Sequence, residues 1–390
     1  MGHAPPPSLP SRSRRRALRA TLLLPALGMA GWRCAFAGTT PAFGNPYGPL
    51  GPPDEHGVQV PAGFSVRLLG MTNEVVDGTH YLWHAAPDGG ACFMRRAGGW
   101  IYANNSEVPD AEQGGASAIA FNAEGKIADA YSILAGTAWN CAGGPTPWGT
   151  WLSCEEKADG LVWECDPQGA GQGVPRPALG HFKHEAAAVD AKTGYVYLTE
   201  DEFDGRLYRF RPRRRRDLSA GTLEVARVAD SGVVVWGRLG GATPARGGTS
   251  TPFQRGEGAW VAGRTLYFAT TADHRVWALD LERDRLSVIY DAAEAGSRAV
   301  LREPDNVTVH PLSGDIFVAE DSDDLQLVLL ADRAGRTIGA PFLQLVGHDD
   351  SEVTGPAFSP DGSRLYVNSQ RGRDGLRGMT FEISGPFRRR

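Results

Sequence analysis

Residues 305–320, DNVTVHPLSGDIFVAE, contain the pattern that best predicts the fold. An acid and an amide open the stretch, apolar residues alternate toward a Ser-Gly turn, and a second alternation ends in another acid. Two alternating runs joined by a glycine-containing turn are typical of a β-hairpin. Because hairpin strands are antiparallel, the first and the last residue of the stretch lie at the same end.

The same pattern recurs along the chain. Clear copies lie at residues 185–200, 257–268 and 352–368, and weaker copies at residues 117–127 and 148–164. Hairpins repeated at intervals of roughly 45 to 70 residues are typical of a propeller with one blade per copy. The sequence therefore predicts an all-β protein with few short helices, a β-propeller of about six blades within a range of five to seven.

The N-terminus predicts export. A basic run at residues 13–19 precedes an apolar run at residues 21–31 and the small-residue site Ala35-Phe36-Ala37. This order is typical of a signal peptide, here residues 1–37, delivered to the twin-arginine or the Sec export machinery. We expect a periplasmic or secreted monomer without a stable membrane anchor. Residues 38–63 are predicted as an extended segment and residues 64–390 as a single propeller domain.

The charge balance favours cations as partners. The formal net charge of −5 includes six arginines and no acid in residues 1–37, so cleavage gives −5 − 6 = −11. An acidic surface argues against nucleic acid as the target and suits a protein that collects cations. The basic run at residues 211–216 is interpreted as a solvated loop.

Cleavage leaves four cysteines. They are Cys92, Cys141, Cys154 and Cys165. An exported protein with four cysteines is expected to form disulfides, and the spacing matches neither a zinc finger nor a redox pair.

Acids at the same phase of the repeat predict a shared site. Glu185, Asp305 and Glu352 open three copies, and radial packing of blades brings such positions to one mouth of the central channel. A single acid of this kind is more often a solvated turn residue, but its recurrence favours a common site. Crowded carboxylates raise one another's pKa, which bound cations relieve. Carboxylate and amide oxygens suit Ca²⁺, whereas a thiolate indicates a softer or redox-active metal.

Residues 140–156, NCAGGPTPWGTWLSCEE, carry such a thiol. The glycines and prolines predict an irregular loop at the rim, with Glu155 and Glu156 returning toward Cys141. The alternative is a structural role, with Cys141 bonded to Cys92 or Cys154 bonded to Cys165.

This stretch resembles the signature of the PhoX alkaline phosphatase family. The resemblance continues in residues 180–186 (GHFKHEA), 303–311 (EPDNVTVHP) and 352–368, and it spans roughly residues 64–370. It implies a six-bladed propeller that holds a mixed cluster of Fe³⁺ and Ca²⁺ and hydrolyses small phosphate monoesters.

The resemblance also implies roles for single residues. Cys141 corresponds to an iron ligand and Glu156 to its partner carboxylate, while Arg255 corresponds to the arginine that grips the substrate phosphate. The further metal ligands implied are Glu185, Glu257, Asp305, Asn306, Glu352 and, more weakly matched, Asp201. Glu257 is thereby assigned to the catalytic centre together with Arg255. His181 and His184 are either structural or general-acid candidates.

The chain departs from the family pattern at two motifs and in length. Arg255-Gly256-Glu257 stands where Arg-Pro-Glu is expected, and Gln370-Arg371-Gly372 stands where Gln-His-Pro is expected. Two other functions remain open: a calcium-dependent lactonase or ester hydrolase in which Cys141 is not a ligand, and a non-catalytic secreted binding propeller stabilised by calcium.

Overall fold

The computed structural model describes residues 45–241, 248–321, 324–333 and 336–389. The predicted signal peptide, residues 1–37, lies outside the described residues. Strands β1 (Val58–Gln59) and β2 (Ser65–Met71) come first, but they form the outer edges of the last two sheets.

The remaining strands follow in chain order, from the innermost to the outermost strand of each blade. Blade 1 contains β3 (Pro87–Met94), β4 (Trp100–Ser106), β5 (Gly115–Phe121) and β6 (Ile127–Ala135). Blade 2 contains β7 (Asn140–Pro145), β8 (Trp151–Glu155), β9 (Val162–Cys165) and β10 (Val174–Pro175). Blade 3 contains β11 (His184–Val189), β12 (Val196–Glu200), β13 (Tyr208–Arg214), β14 (Asp217–Val228) and β15 (Val234–Arg238).

Blades 4 to 6 complete the ring. Blade 4 contains β16 (Gly256–Ala262), β17 (Thr265–Thr270), β18 (Arg275–Asp280) and β19 (Arg285–Asp291). Blade 5 contains β20 (Pro304–Val309), β21 (Ile316–Glu320), β22 (Gln326–Arg333) and β23 (Arg336–Leu345), with β1 at its edge. Blade 6 contains β24 (Val353–Phe358), β25 (Arg364–Ser369) and β26 (Met379–Ser384), with β2 at its edge. These six sheets confirm the predicted all-β propeller, and the N-terminal strand β2 closes the ring by pairing with β26.

Helix is scarce, as the sequence predicts. One α-helix, α1 (Ala292–Ala295), and two short 3-10 segments are present in the described ranges. Asp291 caps α1 by accepting from the backbone N–H groups of Ala293 and Glu294. In the same part of the chain, no helix is long and apolar enough to cross a bilayer.

The innermost strands pack so closely that glycine is required on the axis. A Cβ on Gly89 would lie 2.5 Å from Ala142 Cα, and one on Gly258 would lie 2.6 Å from Asn306 Cα. The space left on the axis beside these residues is about 20 Å³, enough for about one water molecule. The propeller axis is therefore filled beneath the mouth.

Two weaker repeats were assigned to the wrong hairpins. Residues 117–127 belong to the third and fourth strands of blade 1, and residues 148–164 to the second and third strands of blade 2. Both contain a genuine turn between apolar runs, so the pattern alone does not separate outer hairpins from inner ones. The inner hairpin of blade 1 is Pro87–Ser106 instead.

The expected disulfides are not formed, since the four cysteines among the described residues are free thiols. Cys141 lies at the mouth end of β7, level with Asp88 at the mouth end of β3. Cys92 lies four residues beyond Asp88, about 13 Å further along β3. Cys154 pairs in register with Val162, three residues from Cys165. Neither pair meets the Cα separation of about 7 Å or less that a disulfide needs.

Candidate metal centre

A bulge recurs in the innermost strand of every blade. In blades 1 to 5 the pairing of the inner strand with the next strand shifts register directly after the mouth-end pair, for example between Pro87 and Gly90 and between His184 and Ala187. In blade 6 the shift comes one pair later, between Thr354 and Ala357. Bulges re-aim side chains and are frequent beside active sites. In blades 1 to 5 the first residue of the bulge can ligate a metal, and we call these five the inner ring: Asp88, Cys141, Glu185, Glu257 and Asp305.

A second set of residues follows the second strand of each blade. The backbone N–H of each donates to the carbonyl of an entry residue that precedes the inner strand, as in Glu107 to Ala86 at 2.9 Å and Asp201 to Lys183 at 3.3 Å. We call this second set the outer ring: Glu107, Glu156, Asp201, Thr271, Asp321 and Gln370. The corresponding entry residues are Ala86, Trp139, Lys183, Arg255, Glu303 and Glu352.

The acid that precedes an outer-ring acid has a different task. Glu155, Glu200 and Glu320 end their strands, and each accepts the backbone N–H of the residue six positions later. These glutamates brace the loops to the third strands. The acids that follow them in the sequence, Glu156, Asp201 and Asp321, belong to the outer ring, whereas these three glutamates do not.

The two rings converge into three groups that could hold metal ions. In each group one ligand atom per residue lies within 4.8 Å of the others. The groups are Asp88 with Glu107 and Cys141, Cys141 with Glu156 and Glu185, and Glu185 with Glu257 and Asp305. Cys141 and Glu185 are shared between groups, and the Cys141 Sγ–H donates to Glu185 Oε1 at 3.2 Å.

These acids are buried, and they repel one another. Burial is the main cause that raises the pKa of Glu185 well above its ordinary value, and the charges of Glu257 and Glu156 raise it further. Burial and the charge of Glu107 raise the pKa of Asp88 to about 8. Burial, helped by nearby Asp88 and Glu185, also raises the pKa of the Cys141 thiol.

Two buried carboxylate oxygens of the described chain have neither a hydrogen-bond donor nor an ion-pair partner, and a third, Glu257 Oε1, has only its ion pair with Arg255. Asp88 Oδ1 and Glu185 Oε2 are buried without a hydrogen-bond partner among the described residues. A buried acceptor without a partner is costly, and crowded carboxylates are stabilised by bound cations. The donor set of carboxylate oxygens with one thiol fits hard cations together with one softer metal, so the residues present suit a metal centre.

Arg255 lies beside this centre in a fixed position. Its Nε is 2.7 Å from Asp201 Oδ1, one Nη is 2.9 Å from Glu257 Oε1, and the other is 3.5 Å from Asp321 Oδ2. The backbone of Arg255 has φ +55°, a left-handed conformation that a side chain rarely adopts. The entry residues Ala86, Trp139 and Glu303 also have positive φ, so this conformation belongs to the repeated entry turn.

Lys183 is the counterpart of Arg255 in blade 3, and sequence reasoning missed it. Its Nζ lies 3.0 Å from Glu156 Oε1 and 3.6 Å from Asp201 Oδ2. Asp201 therefore bridges the two cations. Hydrogen bonds and charge from Arg255 lower the pKa of Asp201, although burial acts in the other direction.

Two predicted ligands of blades 5 and 6 have other contacts. Asn306 Oδ1 accepts the Gly355 N–H at 2.6 Å, while its amide donates to Asp305 Oδ1 at 2.9 Å. Glu352 Oε1 is 2.6 Å from an Nη of Arg371. Neither Asp201 nor Glu352 belongs to the three groups above. Ligand roles for Asp201, Asn306 and Glu352 stay predictions.

The structure adds Asp88 and Glu107, which the sequence analysis missed. Their signal was present: Asp88-Gly89 opens an alternating run, a glycine turn follows, and the next strand ends before Glu107. The misassigned hairpin at residues 117–127 concealed this copy. His184, in contrast, packs on Phe182 and donates to the Gly180 carbonyl at 3.1 Å, contacts that suit a structural histidine.

Comparison with known proteins agrees with this architecture. The chain matches the model of the family described as alkaline phosphatase PhoX over residues 94–284 and 271–372. Among solved structures it is similar to Pseudomonas fluorescens PhoX in complex with vanadate, a transition state analogue. That match has a TM-score of 0.66 and 18% identity over 85% of this chain and 96% of that one.

Other similarities are more distant. A Bacteroides thetaiotaomicron protein of unknown function gives a TM-score of 0.50 at 11% identity, covering 82% of this chain and 76% of that one. The Xanthomonas campestris gluconolactonase XC5397 gives 0.49 at 14% identity, covering 88% of this chain and 99% of that one. No curated relative matches the chain. Because the PhoX family model covers more than half of the sequence, the protein belongs to the PhoX family of alkaline phosphatases.

Proposed function

We propose that this protein is an exported, metal-dependent phosphomonoesterase whose centre holds iron and calcium at the propeller mouth. The observation that carries the proposal is the convergence of buried carboxylates and one thiol beside a clamped arginine. Small phosphate esters are the substrates that this family membership and this donor set favour together.

The proposed metal ligands are seven residues of the two rings: Asp88, Glu107, Cys141, Glu156, Glu185, Glu257 and Asp305. When bound, cations at these ligands would neutralise the charge that builds up on the phosphoryl oxygens during hydrolysis. Cys141 is the only thiol in the three groups and is therefore proposed as the iron ligand. The remaining oxygen-only group around Glu257 and Asp305 suits calcium.

Arg255 is proposed to bind the substrate phosphate. Asp201 and Glu257 hold its guanidinium on two sides, so little side-chain entropy remains to be lost when a phosphate binds. A planar guanidinium can donate two hydrogen bonds to phosphate oxygens. The nearby ion pairs of Arg255 raise its pKa, which keeps the group cationic at alkaline pH.

The experiment that tests this proposal combines elemental analysis with an activity assay. Purified mature protein should contain both iron and calcium, and it should hydrolyse a chromogenic aryl phosphomonoester at alkaline pH. Cys141→Ser should lose iron and most activity. Cys92→Ser, a half-buried thiol outside the three groups, is the matched control and should keep both.

Three outcomes would contradict the proposal. Calcium without iron, together with an unaffected Cys141→Ser variant, would favour the calcium-dependent lactonase instead. A protein that binds calcium but hydrolyses neither ester class would favour the non-catalytic propeller that calcium stabilises. A protein that binds no metal would exclude both enzymatic functions.

A further inference from the structure

Blade 6 contributes hydrogen-bond donors to the mouth, at positions where most of the other blades contribute acids. Its outer-ring residue is Gln370, whose Nε2 donates to Asp88 Oδ2 at 2.6 Å and to Glu107 Oε2 at 2.7 Å. Its inner-strand bulge contains Gly355, which has no side chain. In the described part of blade 6, Glu352 is thus the one acid directed at the centre.

Arg371 neutralises that acid. One Nη lies 2.6 Å from Glu352 Oε1, and the backbone N–H of Arg371 donates to Ser351 Oγ at 2.9 Å. The Glu352 side chain is 10% exposed and that of Arg371 is 34% exposed, so the pair lies at the inner edge of the mouth. The anchored backbone and the ion pair fix the guanidinium in place.

The surroundings of Arg371 are those of a bound cation. Glu352, Glu107 and Asp321 all act on it with negative charge. A guanidinium stays charged at any pH a protein experiences and cannot dissociate from the site as an ion can. Every acid of the three metal-holding groups lies on the blades 1 to 5, while Glu352 belongs to none of them.

We propose that the Arg371 guanidinium takes the place of a metal ion beside Glu352. Bound metal is then confined to the ligands of blades 1 to 5, and Glu352 serves as the partner of Arg371. This inference rests on the proposed metal centre. It concerns how many ions the centre holds, not whether it holds any.

Counting ions in charge-matched variants tests the inference. Each protein is saturated with calcium chloride and iron, freed of loose ions by gel filtration and analysed for metal per chain. Arg371→Lys keeps the positive charge and should match the wild type. Arg371→Gln leaves Glu352 without its cation and should bind one additional calcium ion per chain, with a new calcium-binding step in calorimetry.

Two further variants serve as controls. Arg373→Gln removes an exposed arginine of the same loop and should leave the count unchanged. Glu352→Gln should also keep the wild-type count, since Glu352 is not a ligand in this proposal. The double variant Glu352→Gln with Arg371→Gln removes both charges together, so it avoids a buried unpaired charge and should fold with the wild-type count.

The outcomes separate this inference from the proposed function. Loss of an ion in Glu352→Gln, or no gain in Arg371→Gln, overturns the inference while the metal centre stands. Absence of metal from the wild type overturns the metal centre and the inference with it.

Discussion

The two ends of the inner hairpins carry the same carboxylate groups under opposite conditions. At the turn end of blade 3, Asp190 accepts the backbone N–H groups of Lys192 and Thr193 and pairs with Arg264. At the mouth end of the same hairpin, Glu185 has one buried oxygen without a partner in the described chain. In this hairpin the polypeptide satisfies the acid at the turn end and leaves one oxygen of the acid at the mouth end without a described partner.

The pKa directions follow this difference. Burial acts to raise the pKa of Asp190, but hydrogen bonds from Arg264 and Thr193 outweigh it and lower the value. At Glu185 and Asp305, in contrast, burial is the largest cause and raises the pKa, and the charges of neighbouring acids raise it further. An acid that is stabilised by the chain itself supports the fold, whereas an acid that awaits an external cation supports binding.

Removing a mouth acid should have the largest effect on activity and an unusual effect on stability. Glu185 belongs to two of the three groups, so Glu185→Gln should lower kcat/KM at least about 10³-fold, equivalent to about 4 kcal/mol. The same change removes one of several repelling charges, so the metal-free variant should unfold with a free energy about 1 kcal/mol or more higher at pH 8. Steady-state kinetics and urea unfolding in chelator measure both. A metal-free variant less stable than the metal-free wild type would contradict the comparison.

The fold was predictable because its signal is repeated and local. In the hairpin at residues 305–320, apolar alternation, a glycine turn and acids at both ends specify strand, turn and direction within one short segment. Recurrence of that segment then indicated the propeller. The blade 1 hairpin was missed although its pattern is present in the sequence, because the outer hairpin at residues 117–127 has a similar turn pattern.

The site was predictable only in part. Glu185, Glu257 and Asp305 lie at the start of their inner strands, so repeat phase and family motif indicated them. Cys141 was indicated by the family motif alone, and the irregular loop predicted around it was wrong, because residues 140–145 form the inner strand β7. The tasks of neighbouring acids were not predictable, because the loop-bracing role of Glu200 depends on backbone N–H groups that fold toward it. The pairing of Glu352 with Arg371 likewise depends on a loop between two later strands, which no alternation pattern describes.

The pH dependence of the metal-free protein offers a second test of the comparison. The folded-state pKa of Asp88, about 8, and those of Glu185 and Glu257 exceed the unfolded values near about 4. Stability from these groups is therefore full below about pH 4 and is lost as the pH rises through the folded values. The melting temperature in chelator should fall between about pH 5 and pH 9, and added calcium and iron should remove this fall. A melting temperature of the chelated protein that stays flat or rises over this range would show that the mouth acids are satisfied without metal.

Changing a turn acid should have the smallest effect and the opposite sign. Asp190→Ala leaves the Lys192 and Thr193 N–H groups and Arg264 without their acceptor, which should lower the free energy of unfolding by about 1–2 kcal/mol. Because the pKa of Asp190 is lowered by folding, its contribution is present above the unfolded pKa and is lost as the pH falls through the folded value, the reverse of the mouth acids. Metal content and kcat/KM should remain within about twofold of the wild type, since small stability losses far from a site leave the folded population near unity. Chemical denaturation at pH 7 and pH 3.5 measures the stability, and metal analysis and steady-state kinetics of the same preparation measure the other two quantities. If Asp190→Ala lost metal, the turn and mouth ends would be coupled through the short inner strand. The conclusion that turn acids support the fold and mouth acids support metal binding would then be wrong.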